Sequence, residues 1–377
     1  MSIIDKQLPI PPQIGSYKQE DVVFLLKDLS NIPLEKGIED REEAIQSGTH
    51  YSEMLPIEYR PTSEYIQLFH DTLLLTARKV AYAAAIVSEL IVMKRGFNTV
   101  LASLARAGTP VGILMKRYVQ MVYNVDLPHY SISIIRGRGI DENAVLYILD
   151  KHPGMEIQFV DGWTGKGAIR KVLIEAQETI GKKYDILLDA DLAVLADPGH
   201  CSETYGTRED FLIPSACLNS TVSGLISRTV LRHDLIGPND FHGAKFYKEW
   251  LQEDLSNLFV DTVSSYYSEV RDEAKAEAER LYHASSELVA TWKGIIDMKR
   301  IQEEYGIEDI NLIKPGVGET TRVLLRRIPW RILVDNMDNP NLNHILLLAR
   351  DRGVPVEEYP DLTYSCCGII KPIKVGV

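Results

Sequence analysis

The stretch EIQFVDGWTGKGA, residues 156–168, decides the fold class. Its first half is an apolar run that predicts a buried strand ending at Asp161. Its second half is a turn rich in glycine that leads into a predicted helix from Ile169. This order is typical of a phosphate-binding site, because small residues let backbone N–H groups approach phosphate oxygens in front of a helix N-terminus. A plain tight turn is the alternative, since the pattern alone is a weak signal.

The small and polar residues of this turn are the candidate substrate ligands. Thr164 adds a hydroxyl donor to the backbone N–H groups. Asp161 stands at the carboxyl end of the predicted strand, where it would meet a ribose hydroxyl or a metal ion. The candidate substrate-binding residues are Gly162, Trp163, Thr164, Gly165, Lys166 and Gly167.

Strands and helices alternate around this stretch, which indicates an α/β fold with a doubly wound, mostly parallel sheet. A long apolar segment before them, residues 62–94, predicts one helix or two. The predicted strands are 98–105, 130–135, 156–160 and 185–195, and the predicted helices between them are 111–122, 142–150 and 169–180.

Two further polar loops are expected at the same edge of the sheet as the glycine-rich turn, because ligands bind beyond the carboxyl ends of parallel strands. The second of these loops alternates Arg136 and Arg138 with glycine, which places positive charge on a mobile backbone. Each loop has an alternative interpretation as a surface turn with solvated arginines. The candidate residues of the first loop are Ser103, Arg106, Ala107 and Gly108.

The chain has 377 residues, which exceeds the size at which one hydrophobic core usually stops growing. Its net charge of −12 excludes coating of nucleic acid through overall charge but permits a local basic patch. We expect an N-terminal extension (1–60), an α/β domain (61–265), a helical connector (266–305) and a smaller C-terminal α/β domain (306–377).

Nothing in the sequence indicates a membrane or secretory protein. The N-terminus lacks the basic and apolar regions of a secretory signal, and the most apolar long stretch, residues 72–93, carries three charged side chains. Four cysteines without CxxC spacing indicate neither a disulfide scaffold nor a zinc site. We therefore expect a cytoplasmic protein with no membrane partner, while the oligomeric state, a homodimer included, is left open.

The three loops together resemble those of type I phosphoribosyltransferases. In that family an apolar strand ends in acidic residues and a Thr/Gly loop that binds the ribose and 5-phosphate of phosphoribosyl pyrophosphate, and residues 159–168 match this pattern. The loop at 103–112 is similar to the family's pyrophosphate loop, and the loop around Arg136 looks like its mobile cover. The family usually has two adjacent acidic residues, whereas here Gly162 follows Asp161.

A closer resemblance extends over most of the chain, to phosphoribosyltransferase-like proteins predicted from bacterial tellurite-resistance and stress-response gene clusters. Some members of that group carry a C-terminal Pelota-like RNA-binding domain, and residues 313–322 and 348–356 look like it. The segments of the larger domain that carry the resemblance are 50–56, 103–112, 134–141, 159–168 and 214–224.

The first Pelota-like piece would place backbone donors at a helix N-terminus, where an RNA phosphate would bind. A structural appendage that binds no RNA is the alternative. The RNA-binding residues implied by the resemblance are Lys314, Gly316, Gly318 and Arg322.

The resemblance implies a Mg²⁺-dependent phosphoribosyltransferase that takes phosphoribosyl pyrophosphate and a small-molecule acceptor and releases pyrophosphate. Asp161 would bind the ribose and the metal, and Arg136 and Arg138 would close the site over the leaving group. The 5-phosphate would contact Gly162, Thr164, Gly165 and Gly167, and the pyrophosphate would contact Arg106 and Gly108.

Two other functions stay open. Because the second acidic residue is missing, the α/β core would also suit a ligand or RNA sensor without turnover. The same group of proteins is also labelled cysteine protease, and Cys201 beside His200 is the candidate nucleophile. Neighbouring residues generally point apart, however, and no local protease signature surrounds this thiol.

Overall fold

The structure is a computed structural model that describes residues 7–37, 40–41, 43–44 and 47–371. The strands are β1 (Val23–Phe24), β2 (Lys27–Asp28), β3 (Glu35–Lys36), β4 (Leu55–Pro56), β5 (Thr99–Ala105), β6 (His129–Ile135), β7 (Gly139–Ile140), β8 (Glu156–Trp163), β9 (Leu192–Ala196), β10 (Thr204–Thr207), β11 (Gly243–Ala244), β12 (Ile313–Pro315), β13 (Pro329–Val334), β14 (Val356–Glu358) and β15 (Cys366–Ile370). The helices are α1 (Ser63–Arg95), α2 (Gly108–Tyr123), α3 (Glu142–Lys151), α4 (Ala168–Tyr184), α5 (Ser256–Ser264), α6 (Tyr267–His283), α7 (Lys293–Glu304), α8 (Val317–Arg326) and α9 (Asn343–Asp351).

The central sheet has the strand order β1-β6-β5-β8-β9-β10, and all neighbours in this order are parallel. The short β7 adds an antiparallel pairing to β6. The chain runs from β5 to β6 on one side and then returns to β8 on the other side of β5. This confirms the predicted α/β fold and its doubly wound, mostly parallel sheet, and it places the topological switch between β5 and β8.

The central strands are apolar because both faces of the sheet are covered. The 33-residue α1 is a single helix, and its alanine-rich second half is buried against the sheet. Gly206 in β10 shows how close this contact is, since a Cβ there would lie 2.1 Å from the carbonyl oxygen of Ala83. The buried Glu89 of α1 accepts hydrogen bonds from the hydroxyls of Tyr118 (2.8 Å) and Tyr123 (2.6 Å).

The N-terminal segment is built into the larger domain. β1 continues the central sheet beyond β6, and β2 pairs with β11 from the far end of that domain. Leu25 and Leu26 are fully buried. Tyr51, Tyr65 and residues 56–62 line a cavity beside the carboxyl end of the sheet.

The predicted connector helix is two helices that pack against different domains. Tyr267 of α6 is buried in the larger domain and donates to the carbonyl of Leu114 (2.8 Å). Met298 and Ile301 of α7 pack in a second core with Tyr364 of the C-terminal domain. The chain changes domain between α6 and α7, where Trp292 adopts a left-handed backbone conformation.

The C-terminal domain is a four-stranded sheet in the order β12-β15-β13-β14, with α8 and α9 packed on it. The sequence pattern predicts helices at 319–326 and 341–352 and strands at 331–334 and 354–357, which correspond to α8, α9, β13 and β14, whereas it predicts neither β12 nor β15. Two strands of the larger domain also differ from prediction, since β8 continues to Trp163 and the strand predicted from Asp185 begins only at Leu192. No helix in the described part of the chain has both the length and the apolar character needed to cross a membrane.

Candidate functional site

A cavity of about 790 Å³ lies beyond the carboxyl ends of β5, β6 and β8. The larger domain contributes its floor, including Ala105, Ile135 and Asp161. Residues 56–62 and 215–229 form side walls, and α8 of the C-terminal domain closes the cavity from the opposite side. The predicted crevice is therefore present, and both domains contribute to it.

Two glycines bring the β5–α2 loop against the end of β8. A Cβ on Gly108 would lie 2.5 Å from the carbonyl oxygen of Val160, so no larger residue fits there. A Cβ on Gly162 would lie 3.4 Å from the carbonyl oxygen of Ala107. Gly162 thus lies directly beneath this loop, at the position where the phosphoribosyltransferase pattern has a second carboxylate. The close packing also holds Arg106 beside the end of β8.

Asp161 is the carboxylate at the floor of the cavity. Its Oδ1 accepts a hydrogen bond from the N–H of Gly162 (2.8 Å), and no cation of the described residues lies within 4.0 Å of it. Burial raises the pKa of Asp161 to about 7, and the Gly162 bond opposes this only in part. Such a carboxyl can accept a proton near neutral pH or bind a cation.

The cavity is strongly basic although the protein is acidic. Nine arginine or lysine side chains line it, against three carboxylates. Six of the nine have no carboxylate within 4.0 Å among the described residues. These six are Arg41, Arg136, Arg228, Lys314, Arg326 and Arg327.

One group of cations surrounds Tyr51. The guanidinium of Arg228 lies 5.3 Å from the Tyr51 ring centroid, and that of Arg136 lies 5.7 Å from it. The N–H of Arg136 donates to the Tyr51 hydroxyl (2.8 Å), which fixes the loop after β6. Burial and the nearby charge of Arg106 lower the pKa of Arg228 to about 10, as expected where cations are crowded.

Arg106 is held at the edge of the same group. Its Nη1 donates to the carbonyl of Ile226 (3.0 Å) and lies 3.6 Å from Oε2 of Glu58. The Glu58 side chain is only 5% exposed, and it also accepts from the N–H of Ser220 (3.2 Å). Glu58 therefore orients Arg106 and ties three segments of the cavity wall together.

The C-terminal domain contributes the second group of cations from α8 and its two ends. The guanidinium of Arg322 lies 5.6 Å from the ring centroid of Trp163 and pairs with Glu319 (2.8 Å). Arg326 stacks on Tyr65 and donates to the carbonyl of Cys217 (3.1 Å). This wall thus combines aromatic surface with positive charge.

Residues 164–167 of the predicted phosphate-binding turn lie behind the cavity and do not line it. The hydroxyl of Thr164 donates to Oδ1 of Asp197 (2.6 Å), and the carbonyl of Gly165 accepts from the Tyr364 hydroxyl (2.9 Å). Lys166 donates to the carbonyls of Ile310 (2.7 Å) and Ile313 (3.2 Å).

Gly167 begins α4 with a left-handed conformation, and a Cβ there would collide with the ring of Trp292. The turn therefore joins the two domains, because its side chains and carbonyls are used by the C-terminal part of the chain. The expectation that its small residues face the ligand is corrected in this respect: Asp161 and Trp163 line the cavity, whereas Gly162 and residues 164–167 do not.

Two residues predicted from the other loops also lie outside the cavity lining. Ser103 is fully buried within β5 and contacts Nε2 of His129 (2.9 Å). Arg138 forms an ion pair with Glu53 (2.9 Å). Ala107 lines the cavity with Arg106 and Arg136, whereas Gly108 acts through packing.

Of the expected RNA-binding residues, two line the cavity and two do not. Lys314 and Arg322 line the cavity. Gly316 and Gly318 pack against the larger domain, where Cβ atoms on them would lie 3.4 Å from Oδ1 of Asp210 and 3.1 Å from Cβ of Ala216. In this arrangement the two glycines are not available to RNA.

All four cysteines are buried. The Sγ of Cys201 lies 3.3 Å from the carbonyl oxygen of Gly199, and no described histidine nitrogen lies within hydrogen-bond reach of it. Burial raises the pKa of Cys201 to about 12, while burial lowers the pKa of His200 to about 4. The His200 ring contacts Arg208 instead. The thiol–imidazole pair that a cysteine nucleophile requires is absent here.

Several cavity residues were not predicted from the sequence. Glu58, Arg228 and Arg326 lie in irregular segments or in the other domain, so no local pattern connects them with β8. Only their basic or acidic character is visible in the sequence. Among the described residues, no three His, Cys, Asp or Glu side chains come together to hold a metal. Asp161 would thus have to bind a metal together with its substrate.

Comparisons with known proteins match two different parts of the chain. Residues 15–264 match the family described as tellurite-like stress resistance cysteine protease StiP, and residues 292–372 match the PELOTA RNA binding domain. The chain is 32% identical over 374 residues to a protein from Acinetobacter baylyi named cysteine protease StiP, covering 96% of this chain and 95% of that protein. A solved NifS-like protein from Rickettsia africae covers 92% of this chain and 93% of its own, with 11% identity and a TM-score of 0.22, which is too weak to indicate a shared fold.

Proposed function

The chain belongs to the family described as tellurite-like stress resistance cysteine protease StiP, and we propose that it transfers the phosphoribosyl group of phosphoribosyl pyrophosphate to an acceptor and releases pyrophosphate. The observation that carries the proposal is the basic cavity at the switch point of the sheet, with Asp161 at its floor. A polyanionic sugar substrate matches both the charge and the place.

In the proposed reaction an N–H or O–H group of the acceptor attacks C1 of the ribose. The C1–O bond to pyrophosphate breaks, its electron pair leaves with the pyrophosphate, and the acceptor proton passes to the released pyrophosphate. Arg106, Arg136 and Arg228 stabilise the charge that develops on the leaving group. Because Arg136 and Arg228 lack a carboxylate partner among the described residues, they are available to the substrate.

Mg²⁺ is proposed as the metal that accompanies the substrate. It is often bound by one or two carboxylates together with substrate phosphates, and Asp161, without a protein cation within 4.0 Å among the described residues, fits that role. When bound, Mg²⁺ would neutralise part of the phosphate charge. The side chains of the cavity would orient the same phosphates and exclude water.

The test is isothermal titration of the full chain with phosphoribosyl pyrophosphate and Mg²⁺, followed by measurement of pyrophosphate release with candidate bases. We expect Arg136→Gln and Arg228→Gln to weaken substrate binding. We expect Asp161→Asn to slow transfer about 100-fold or more, because an amide binds Mg²⁺ and the ribose hydroxyls more weakly than a carboxylate. Asp272→Asn, at an exposed position on α6, is the matched control.

Absence of binding to the wild-type protein would contradict the proposal. Binding without pyrophosphate release from any acceptor would instead favour a sensor without turnover, which the single carboxylate at the end of β8 also permits. RNA is proposed as a partner because residues 292–372 match an RNA-binding domain family. Proteolysis is not proposed, because Cys201 is buried and none of the described histidines has a nitrogen within hydrogen-bond reach of its thiol.

A further inference from the structure

The cations of the cavity come from two domains, and the Arg136 charge of one domain reaches Lys314 of the other. Arg41, Arg106, Arg136 and Arg228 belong to the larger domain and lie around Tyr51 and the ends of β5 and β6. The second group belongs to the C-terminal domain and consists of Lys314, Arg322, Arg326 and Arg327.

The cations of the second group outnumber their carboxylate partners among the described residues. Only Arg322 has a carboxylate partner, Glu319, while the other three have none within 4.0 Å among the described residues. Like charges placed together in a cavity repel one another, and the repulsion is relieved when an anion binds between them. The phosphates of the sugar donor are assigned to the first group, so the second group indicates another anion.

Trp163 shows what else this ligand would carry. It lines the cavity two residues beyond Asp161, and its ring packs beside the guanidinium of Arg322. The guanidinium is held in place by Glu319 and by the carbonyl of Ala216 (3.0 Å). Aromatic rings and guanidinium planes are the surfaces on which nucleobases stack.

We propose that the acceptor is a nucleotide, with its base on Trp163 and its phosphate on the cations of the second group. This rests on the proposed function above. An N–H or O–H of the nucleotide attacks the ribose C1, pyrophosphate leaves with the electrons of the broken C1–O bond, and the nucleotide's proton passes to the released pyrophosphate. The nucleotide is either free or the end of an RNA strand, and the C-terminal domain supplies the same contacts to both.

The experiment uses the full chain and calorimetry with two probes, adenosine 5′-monophosphate and a 5′-phosphorylated oligoadenylate. Phosphoribosyl pyrophosphate with Mg²⁺ is titrated separately. The test variant is Lys314→Gln with Arg327→Gln, because neither side chain donates a hydrogen bond across the domain interface in the described structure. Arg350→Gln is the matched control, since this arginine lies on α9 with 77% of its side chain exposed.

We expect the wild type to bind at least one nucleotide probe and the double variant to bind it about tenfold more weakly per cation removed. Binding of phosphoribosyl pyrophosphate and the melting temperature should stay unchanged. Binding of the monophosphate identifies a free nucleotide, and binding of the oligonucleotide alone identifies an RNA end.

The proposal is overturned if neither probe binds while phosphoribosyl pyrophosphate does. It is also overturned if the double variant loses phosphoribosyl pyrophosphate to the same extent, since the second group would then bind the donor. If nucleotides bind but phosphoribosyl pyrophosphate does not, the proposed function fails, and the acceptor role fails with it.

Discussion

The backbone N–H of Val317 donates a hydrogen bond of 2.9 Å to the carboxylate of Asp210. Val317 is the first residue of α8 in the C-terminal domain, and Asp210 belongs to the larger domain. The other carboxylate oxygen accepts from the N–H of Ser365 (3.0 Å). A helix N-terminus attracts anions, so Asp210 occupies the position at which the sequence suggested an RNA phosphate.

We expect Asp210→Ala to loosen the C-terminal domain from the larger one. The substitution leaves the buried N–H groups of Val317 and Ser365 without acceptors, which costs about 1–3 kcal/mol for each group. The free energy of unfolding in urea should fall accordingly, and limited proteolysis should cut between α6 and α7. Asp272→Ala is the control at an exposed position, and equal stability of the two variants would contradict the role of Asp210.

Asp210 also predicts a pH dependence of stability. Burial raises its pKa from the ordinary 3.8 to about 7, so the folded protein keeps a proton that the unfolded chain has released. The stability that the folded protein gains from keeping this proton is therefore complete below about pH 4 and is lost as the pH rises towards 7. Relative to Asp210→Asn, which does not titrate, the wild type should lose about 1 kcal/mol or more between these pH values. Parallel pH profiles of the two proteins would exclude this titration.

The fold could be predicted from the sequence where one periodicity continues over many residues. The segment that forms α1 and the apolar run of β5 satisfy this condition. β10 could not be found in the same way. It is only four residues long. It contains Gly206, which allows close packing against Ala83 of α1, and Ala83 is distant in sequence.

The candidate site could be predicted only in its position and part of its charge. Arg106 and Arg136 lie at the crevice because they follow strands of the central sheet directly. Thr164 and Lys166 also follow such a strand, but the C-terminal domain packs over their turn. The docking of one domain on another depends on contacts such as the one between Lys166 and Ile310, which no local pattern encodes.

We expect the thiols to be dispensable for activity. Cys201 is fully buried and burial raises its pKa to about 12, so almost no thiolate forms at neutral pH. Iodoacetamide should leave the native protein unmodified by mass spectrometry and modify all four cysteines after denaturation. Cys201→Ser should keep its rate of pyrophosphate release within about twofold of the wild type. Inactivation that accompanies alkylation of native Cys201 would support a thiol mechanism instead.

Thr164→Ala separates the structural from the ligand-binding role of the glycine-rich turn. The Thr164 hydroxyl is buried, donates to Asp197 and accepts from the N–H of Gly199 (3.1 Å). Its removal should lower the free energy of unfolding by about 1–3 kcal/mol and leave the affinity for phosphoribosyl pyrophosphate unchanged. Thr179→Ala, at an exposed position on α4, is the control for loss of a threonine hydroxyl. If Thr164→Ala binds phosphoribosyl pyrophosphate more weakly at unchanged stability, the turn contacts the 5-phosphate as the sequence suggested, and the C-terminal domain must then move away from it during binding.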